Sequence, residues 1–279
     1  MKETVRRKRE MKRIKAVPGG WQMVALLVFI LLALCVSGCG NSKSGSSAAS
    51  ALDEIKQRGY MIFATDGAYP PMEFADENNE IIGFDVDLGK AICEKLAVEH
   101  KVLIADWEGL IPGLMKGKFD VIMSAMNITE ERLKSVDFVP YYEMGQLVVV
   151  SAGNPEDIHC LEDLAGKTVA VQTGSTNEDA ARDVEGAKIR LFGTFTDAMM
   201  EVAAGRADAC ILDSVVAKHY MLMQPGAYEV ASDVFFEAPV GIAVSKESPE
   251  LTEAIEEALA ELKEDGTYDS IIEKWFGKD

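Results

Sequence analysis

The chain has 279 residues, with 28 Lys and Arg against 46 Asp and Glu, a net charge of −18 at pH 7. Such acidity argues against a nucleic-acid partner, which needs a basic patch, and suits a domain that does not adhere to anionic lipid. His100, His159 and His219 stand singly, the cysteine spacing fits no zinc site, and no Gly-x4-Gly-Lys-Ser/Thr loop is present, so neither metal, cofactor, histidine-based catalysis nor ATP hydrolysis is expected.

Residues 1–22 are rich in Lys and Arg, among them Arg6, Arg7, Lys8 and Arg9. The apolar run that follows, 23–36, is about 14 residues, short of the ~20 that span a bilayer comfortably. Together they read as a secretory signal peptide over residues 1–38. Val36-Ser37-Gly38-Cys39 looks like a lipobox and predicts cleavage before Cys39 with lipid attached there; an uncleaved anchor is the alternative. Residues 39–51, rich in Ser, Gly and Ala, read as a flexible tether. Residues 1–38 hold eight Lys and Arg and two Glu, so a chain beginning at Cys39 carries −24. Beyond Cys39 stand Cys93, Cys160 and Cys210, an odd number that leaves at least one thiol free within a single molecule.

Apolar runs and turn residues then predict a strand at 61–65, a hairpin through 73–83, a helix at 85–96, a strand at 101–105, a helix at 110–116 and a strand at 120–124. A second series follows Gly145: strands at 147–150 and 168–171, a helix at 175–184, a strand at 188–192, a helix at 196–204, a strand at 209–212 and a helix at 214–223. Two βα series mean two parallel-sheet units. The acidic stretch 250–265 reads as a solvated helix face, and Asp85 as a helix cap.

Thr129 is a good helix N-cap, which puts Arg132 in a first helical turn, where the macrodipole disfavours cations. A surface arginine that is merely tolerated is one reading. The other is a guanidinium that grips a carboxylate through two parallel hydrogen bonds, just beyond a strand end, where open α/β sheets bind ligands.

The wider sequence bears on that choice. Asp66-Gly67-Ala68-Tyr69-Pro70-Pro71-Met72-Glu73-Phe74, Gly83-Phe84-Asp85-Val86-Asp87-Leu88 and Trp107-Glu108-Gly109-Leu110-Ile111-Pro112 precede the segment Asp120 to Arg132. Val171-Gln172-Thr173-Gly174-Ser175-Thr176, Gly205-Arg206-Ala207-Asp208-Ala209 with Leu212-Asp213, and Lys274-Trp275-Phe276-Gly277 follow it. In this order and spacing the chain resembles, from Leu52 to Phe276, the family-3 extracellular solute-binding proteins, the amino-acid receptors of ABC importers. The resemblance implies an α/β, two-lobe periplasmic-binding-protein type II fold, each lobe a mostly parallel sheet flanked by helices. Lobe 1 would comprise 52–142 and 241–279, lobe 2 143–240, with crossings near 142–146 and 238–242 and C-terminal helices from Pro249 returning to lobe 1. It implies a non-enzymatic, monomeric receptor on the extracytoplasmic face of a bacterial membrane, lipid-anchored, with a free amino acid, a permease and its ATPase subunit as partners. A lyase of small carboxylic acids, using a residue such as Glu73 or Glu143, and a ligand-sensing module are the alternatives.

By the same resemblance Arg132 holds the ligand α-carboxylate with Thr176, which otherwise reads as an N-cap. Asp213 takes the α-ammonium; its spacing alone suggests an N-cap. Asn127 stands where the family usually has Thr or Ser, and Ala125 contributes its backbone carbonyl. Tyr69 and Trp107 match the walls around the ligand side chain, although each alone reads as core. Asp66 meets the polar end of that side chain, and Gln172 occupies a variable position at the lobe-2 edge. Asp66, left unbalanced, ranks Arg, Lys, ornithine and His first, Gln second and Asp or Glu last.

Overall fold

In the computed structural model, which describes residues 49–277, helix α1 (Ala51–Arg58) starts at a capping box between Ser50 and Asp53. The predicted signal peptide, Cys39 and most of the tether lie outside the described residues. The apolar strand β1 (Tyr60–Thr65) pairs in parallel with β5 (Glu99–Ile104) and β6 (Val121–Ile122). Between them come a small three-stranded sheet of β2 (Ala68–Tyr69), β3 (Glu73–Ala75) and β4 (Ile81–Ile82), then α2 (Phe84–Lys95). Strand β6 is shorter than the predicted 120–124, because the chain turns at Ser124 and Ala125 to meet the site. Helices α3 (Leu110–Met115) and α4 (Glu130–Leu133) flank it.

The second half builds a matching unit. Strand β8 (Thr168–Gln172) pairs in parallel with β9 (Lys188–Phe192) and β10 (Ala209–Asp213). Helices α5 (Thr176–Asp183), α6 (Phe195–Ala203) and α7 (Ser214–Met223) alternate with these strands.

Two long antiparallel strands, β7 (Val136–Ser151) and β12 (Phe236–Ser245), lie between β6 and β10 in one nine-stranded sheet, whose remaining strand, β11 (Tyr228–Val230), also pairs with β7. The sequence predicts a strand only at 147–150, with crossings at 142–146 and 238–242. The chain is instead extended straight through both crossings, so strand pairing itself joins the two units. Pro140 and Gly145 disguise this continuity. Pro140 is exposed and lies at the register shift opposite Val240 and Gly241, a place where a strand tolerates proline. At Gly145 a Cβ would stand 2.4 Å from Val234 Cγ1, so glycine permits the close approach. The fold is the two-lobe type II periplasmic-binding fold, its parallel strands outermost and its paired crossing strands central.

The chain closes with α8 (Pro249–Glu264) and α9 (Thr267–Phe276). They pack on α1 and α2 of the first half: Trp275 Nε1 donates to Asp87 at 2.7 Å and Phe276 stacks on Tyr142. No helix among the described residues is long and apolar enough to cross a membrane. Cys93 and Cys210 are buried, and all three described cysteines are free.

Candidate functional site

The first half supplies one wall of a cavity from strand ends. Beyond β1, Asp66 accepts from its own loop, Ala68 N–H to Oδ1 at 2.9 Å. Tyr69 ends β2 and Glu73 opens β3, both buried. Ser124 links the pieces: its Oγ donates to Glu73 Oε1 at 2.8 Å and accepts from Asp66 N–H at 3.1 Å. Ala125 follows with φ 46°, a left-handed conformation uncommon outside glycine. It is held there by Asp85, which accepts the Ala125 N–H at 2.8 Å and the Tyr141 hydroxyl at 2.8 Å. Asp85 is therefore not the helix cap the sequence suggests; Gly83 takes that position, and the buried carboxylate braces the site's backbone. Tyr141 reaches it from the register shift in the β7–β12 pair, where bulged strands re-aim side chains.

The second half supplies the opposite wall. Gln172 ends β8, and its Nε2 donates to Asp66 Oδ2 and to the Gly193 carbonyl, each at 2.9 Å. Ser175, not Thr176, caps α5, accepting from Glu178 N–H. The Thr176 hydroxyl is thereby free to accept from Gln146 Nε2 at 2.9 Å and donate to Asn127 Oδ1 at 2.8 Å. Asp213 holds the N-cap position of α7, yet its side chain does not cap; Oδ2 accepts from the Tyr69 hydroxyl at 2.5 Å. Trp107 Nε1 and Arg132 both donate to the Gly174 carbonyl at 3.2 Å, so the two walls are bonded together along the rim.

Between the walls lies a small cavity lined by Asp66, Tyr69, Trp107, Ala125, Asn127, Gln172, Thr176 and Asp213. Every predicted ligand contact except Arg132 lines it. Arg132 stands one step back, its guanidinium donating to the Asn127 carbonyl at 2.8 Å and lying 5.3 Å from the Trp107 ring centre. Five lining residues were absent from the predicted contacts: Glu73, Ser124, Ser175, Asn177 and Phe195. Glu73 and Ser175 belong to the quoted motifs, but nothing in their spacing marks them as facing a ligand. Phe195, 4.7 Å from Tyr69 ring to ring, and Asn177 carry no such signal, since both arrive from the far wall. Glu143, weighed as a catalytic acid, is exposed and away from the cavity.

Four buried polar atoms have no hydrogen-bond partner and belong to cavity-lining residues: Glu73 Oε2, Asn127 Nδ2, Asn177 Nδ2 and Asp213 Oδ1. Such orphans are costly and call for an explanation. Here they are two donors and two acceptors around one small space.

The charges are lopsided. Asp66, Glu73, Asp85 and Asp213 converge against a single guanidinium. Burial raises the pKa of each acid; Asp213 reaches about 6, restrained by the Tyr69 hydrogen bond and the Arg132 charge. Burial lowers Arg132 to about 10, which leaves it protonated at neutral pH. Asp66, whose charge the sequence leaves unbalanced, accepts hydrogen bonds from the neutral donors Gln172 Nε2 and Ala68 N–H. The carboxylate with an oxygen to spare on the same wall is Glu73. Among the described residues no group of His, Cys, Asp and Glu is arranged to hold a metal ion.

Residues 61–278 match the family model for bacterial extracellular solute-binding proteins, family 3. The L-cystine-binding protein TcyJ of Escherichia coli (strain K12) is 30% identical over 82% of this chain and 86% of its own length. ABC transporter arginine-binding protein 1 of the same organism is 32% identical over 82% and 93%. Among solved structures, a mutant of ArgBP from T. maritima superposes with a TM-score of 0.78 at 46% identity, covering 81% of this chain and 99% of that one. The ancestral amino-acid-binding protein AncCDT-1, a precursor of cyclohexadienyl dehydratase, gives 0.77 at 44%, over 81% and 100%. With a model match running from β1 to the end of α9, this chain belongs to the bacterial extracellular solute-binding proteins, family 3.

Proposed function

We propose that the chain is the substrate-binding component of an ABC importer, taking a free amino acid with a basic side chain first and glutamine second. The observation that carries this reading is the set of unpartnered donors and acceptors around the cavity. A zwitterion is their complement: the α-ammonium donates to Asp213 Oδ1, and the α-carboxylate accepts from Asn127, Thr176 and Arg132, whose guanidinium exchanges a backbone carbonyl for the ligand. Tyr69, Phe195 and Trp107 cover an aliphatic stem. Three acids lining the cavity, with Asp85 behind them, against one guanidinium favour a ligand with a further positive charge. Relatives that bind cystine and arginine support the amino-acid class.

Residues 52–142 with 241–279 form one lobe in this reading and 143–240 the other. Ligand meets Arg132, Asn127 and Tyr69 first; hinge motion in β7 and β12 then brings Thr176 and Asp213 onto it and excludes water. Only contacts made better in the closed state drive closure. Cys39 carries the lipid that holds the monomeric receptor beside a permease and its ATPase.

A second reading, a lyase of small carboxylic acids, draws on one feature: Glu73 is buried, with a raised pKa and a free oxygen in the cavity, as a general acid or base needs. Zwitterion-binding groups on both walls favour the receptor.

Thermal shift and calorimetry across the twenty amino acids and ornithine test both readings, with chromatography of the mixtures for product. Binding led by arginine, lysine or ornithine without turnover supports the receptor. Tighter binding of glutamate or an aliphatic amino acid refutes the charge argument, and turnover of any compound makes the protein an enzyme.

A further inference from the structure

We propose that the buried Glu73–Asp85 pair releases one proton when an amino acid with a cationic side chain binds and keeps it when the side chain is neutral, so that preference for basic over neutral amino acids rises with pH. This rests on the amino-acid reading above and assigns the pair a function of its own.

The geometry makes the pair a proton store. Glu73 is 0% exposed and Asp85 2%. Each Asp85 oxygen is committed, one to the Ala125 N–H and one to the Tyr141 hydroxyl, whereas Glu73 has one oxygen on Ser124 and the other unpartnered at the cavity. Asp85 is also a charged neighbour of Glu73, and a charge on either carboxyl opposes a charge on the other. Facing them are Asp66 from the loop after β1 and Tyr141 from β7; Tyr69 and Asp213 share the cavity with Glu73. The site's cation, Arg132, is engaged at Asn127 and Gly174. Two neighbouring buried carboxylates do not both ionise readily without a cation to balance them. Burial and mutual repulsion hold Glu73 well above the usual carboxylate range, and burial lifts Asp85 to about 7.

A guanidinium or ammonium set against Glu73 Oε2 supplies the missing charge. The step balances simply: the pair gives up one proton, the ligand keeps its own, and one H⁺ passes to solvent. An amide side chain brings no charge, so the proton stays. On its other side Asp85, with Thr65 and His100, lines a small and mostly apolar cavity. Burial and Lys90 lower His100 to about 4, so it is neutral in the range concerned and adds no competing charge.

The test is titration calorimetry with L-arginine and L-glutamine at pH 6 in buffers of different ionisation enthalpy. Asp213 also titrates in this range, but both ligands carry the same α-ammonium, so its contribution cancels in the difference. We expect up to one more proton released with arginine than with glutamine. The arginine-to-glutamine affinity ratio should then rise by up to tenfold per pH unit between pH 5 and 7. Glu73→Gln should abolish the difference in protons; Asp66→Asn, whatever it does to affinity, should retain it. Equal proton counts for the two ligands in the wild type overturn the proposal even if Glu73→Gln does not fold. Loss of the difference in Asp66→Asn but not in Glu73→Gln overturns it too, by assigning the proton to Asp66. Failure of every amino acid to bind would instead refute the underlying receptor reading.

Discussion

Arg132 and Asp213, proposed above to meet one ligand from opposite walls, carry opposite charges, and each is shifted by burial in the direction that disfavours its charged form. Such groups depend on their partners: removing one leaves the other's charge, or the ligand's, buried and unbalanced. Arg132→Ala and Asp213→Ala are each expected to cost about 2–5 kcal/mol of amino-acid affinity, as truncated buried charge pairs do. Calorimetry decides, and wild-type affinity in either variant removes that residue from the site. Asn127 shows how one side chain is directed. Its carbonyl oxygen is taken by the Thr176 hydroxyl, so its amide group is what remains for a ligand carboxylate. The residue type allows either role; the neighbour on the far wall selects donation.

The elements that hold the site are short and depend on exact approaches. Between β4 and α2, Gly83 has φ 143°, and a Cβ there would stand 2.1 Å from the Met72 carbonyl oxygen. That carbonyl accepts the Asp85 N–H at 2.9 Å, so the glycine seats the first turn of α2 and with it the brace on Ala125. Gly83→Ala should cost upwards of about 4 kcal/mol, the range of strained-backbone and overpacking defects, and lower the melting temperature by many degrees. A thermal melt matching wild type would show that α2 starts without this contact. The long strands β7 and β12 work on a larger scale. Extended and mutually paired through both crossings, they join the two halves by backbone hydrogen bonds as well as by chain connectivity, which loops would not.

For the whole molecule, the buried acids make stability depend on pH. Asp66, Glu73, Asp85 and Asp213 all have folded-state pKa values above their unfolded ones near 4. The folded state then binds more protons, so the contribution of these groups is greatest below about pH 4 and declines as pH rises through about 6 for Asp213 and about 7 for Asp85. Self-repulsion of an acidic chain acts in the same direction. The ligand-free protein is expected to melt at higher temperature at pH 5 than at pH 8, by an amount worth up to a few kcal/mol, since each pKa unit is about 1.4 kcal/mol. Saturating L-arginine should raise the melting temperature more at pH 8 than at pH 5. Scanning calorimetry at the two pH values checks both; a flat profile means the acids are less buried than the fold places them.

Local chemistry made much of this protein legible from its residues. Apolar runs marked β1, β8 and β10, and the Thr129 cap placed Arg132 in the first turn of α4. These depend on neighbours a few positions apart, which a sequence displays directly. The ordered motifs likewise pointed to the two-lobe fold, since each marks a strand end or a helix start. What each marked residue touches was decided only in three dimensions. The contacts that define the cavity join positions 106 apart for Asp66 and Gln172 and 144 apart for Tyr69 and Asp213. No local pattern encodes which of two neighbouring acids, Asp66 or Glu73, receives a partner from the far wall. Asp85 was read as a cap because its spacing suits one; closure of α2 against the turn after β6 buried it beside Glu73 instead. That burial, with water excluded, lifts the pKa of an ordinary acidic residue to about 7.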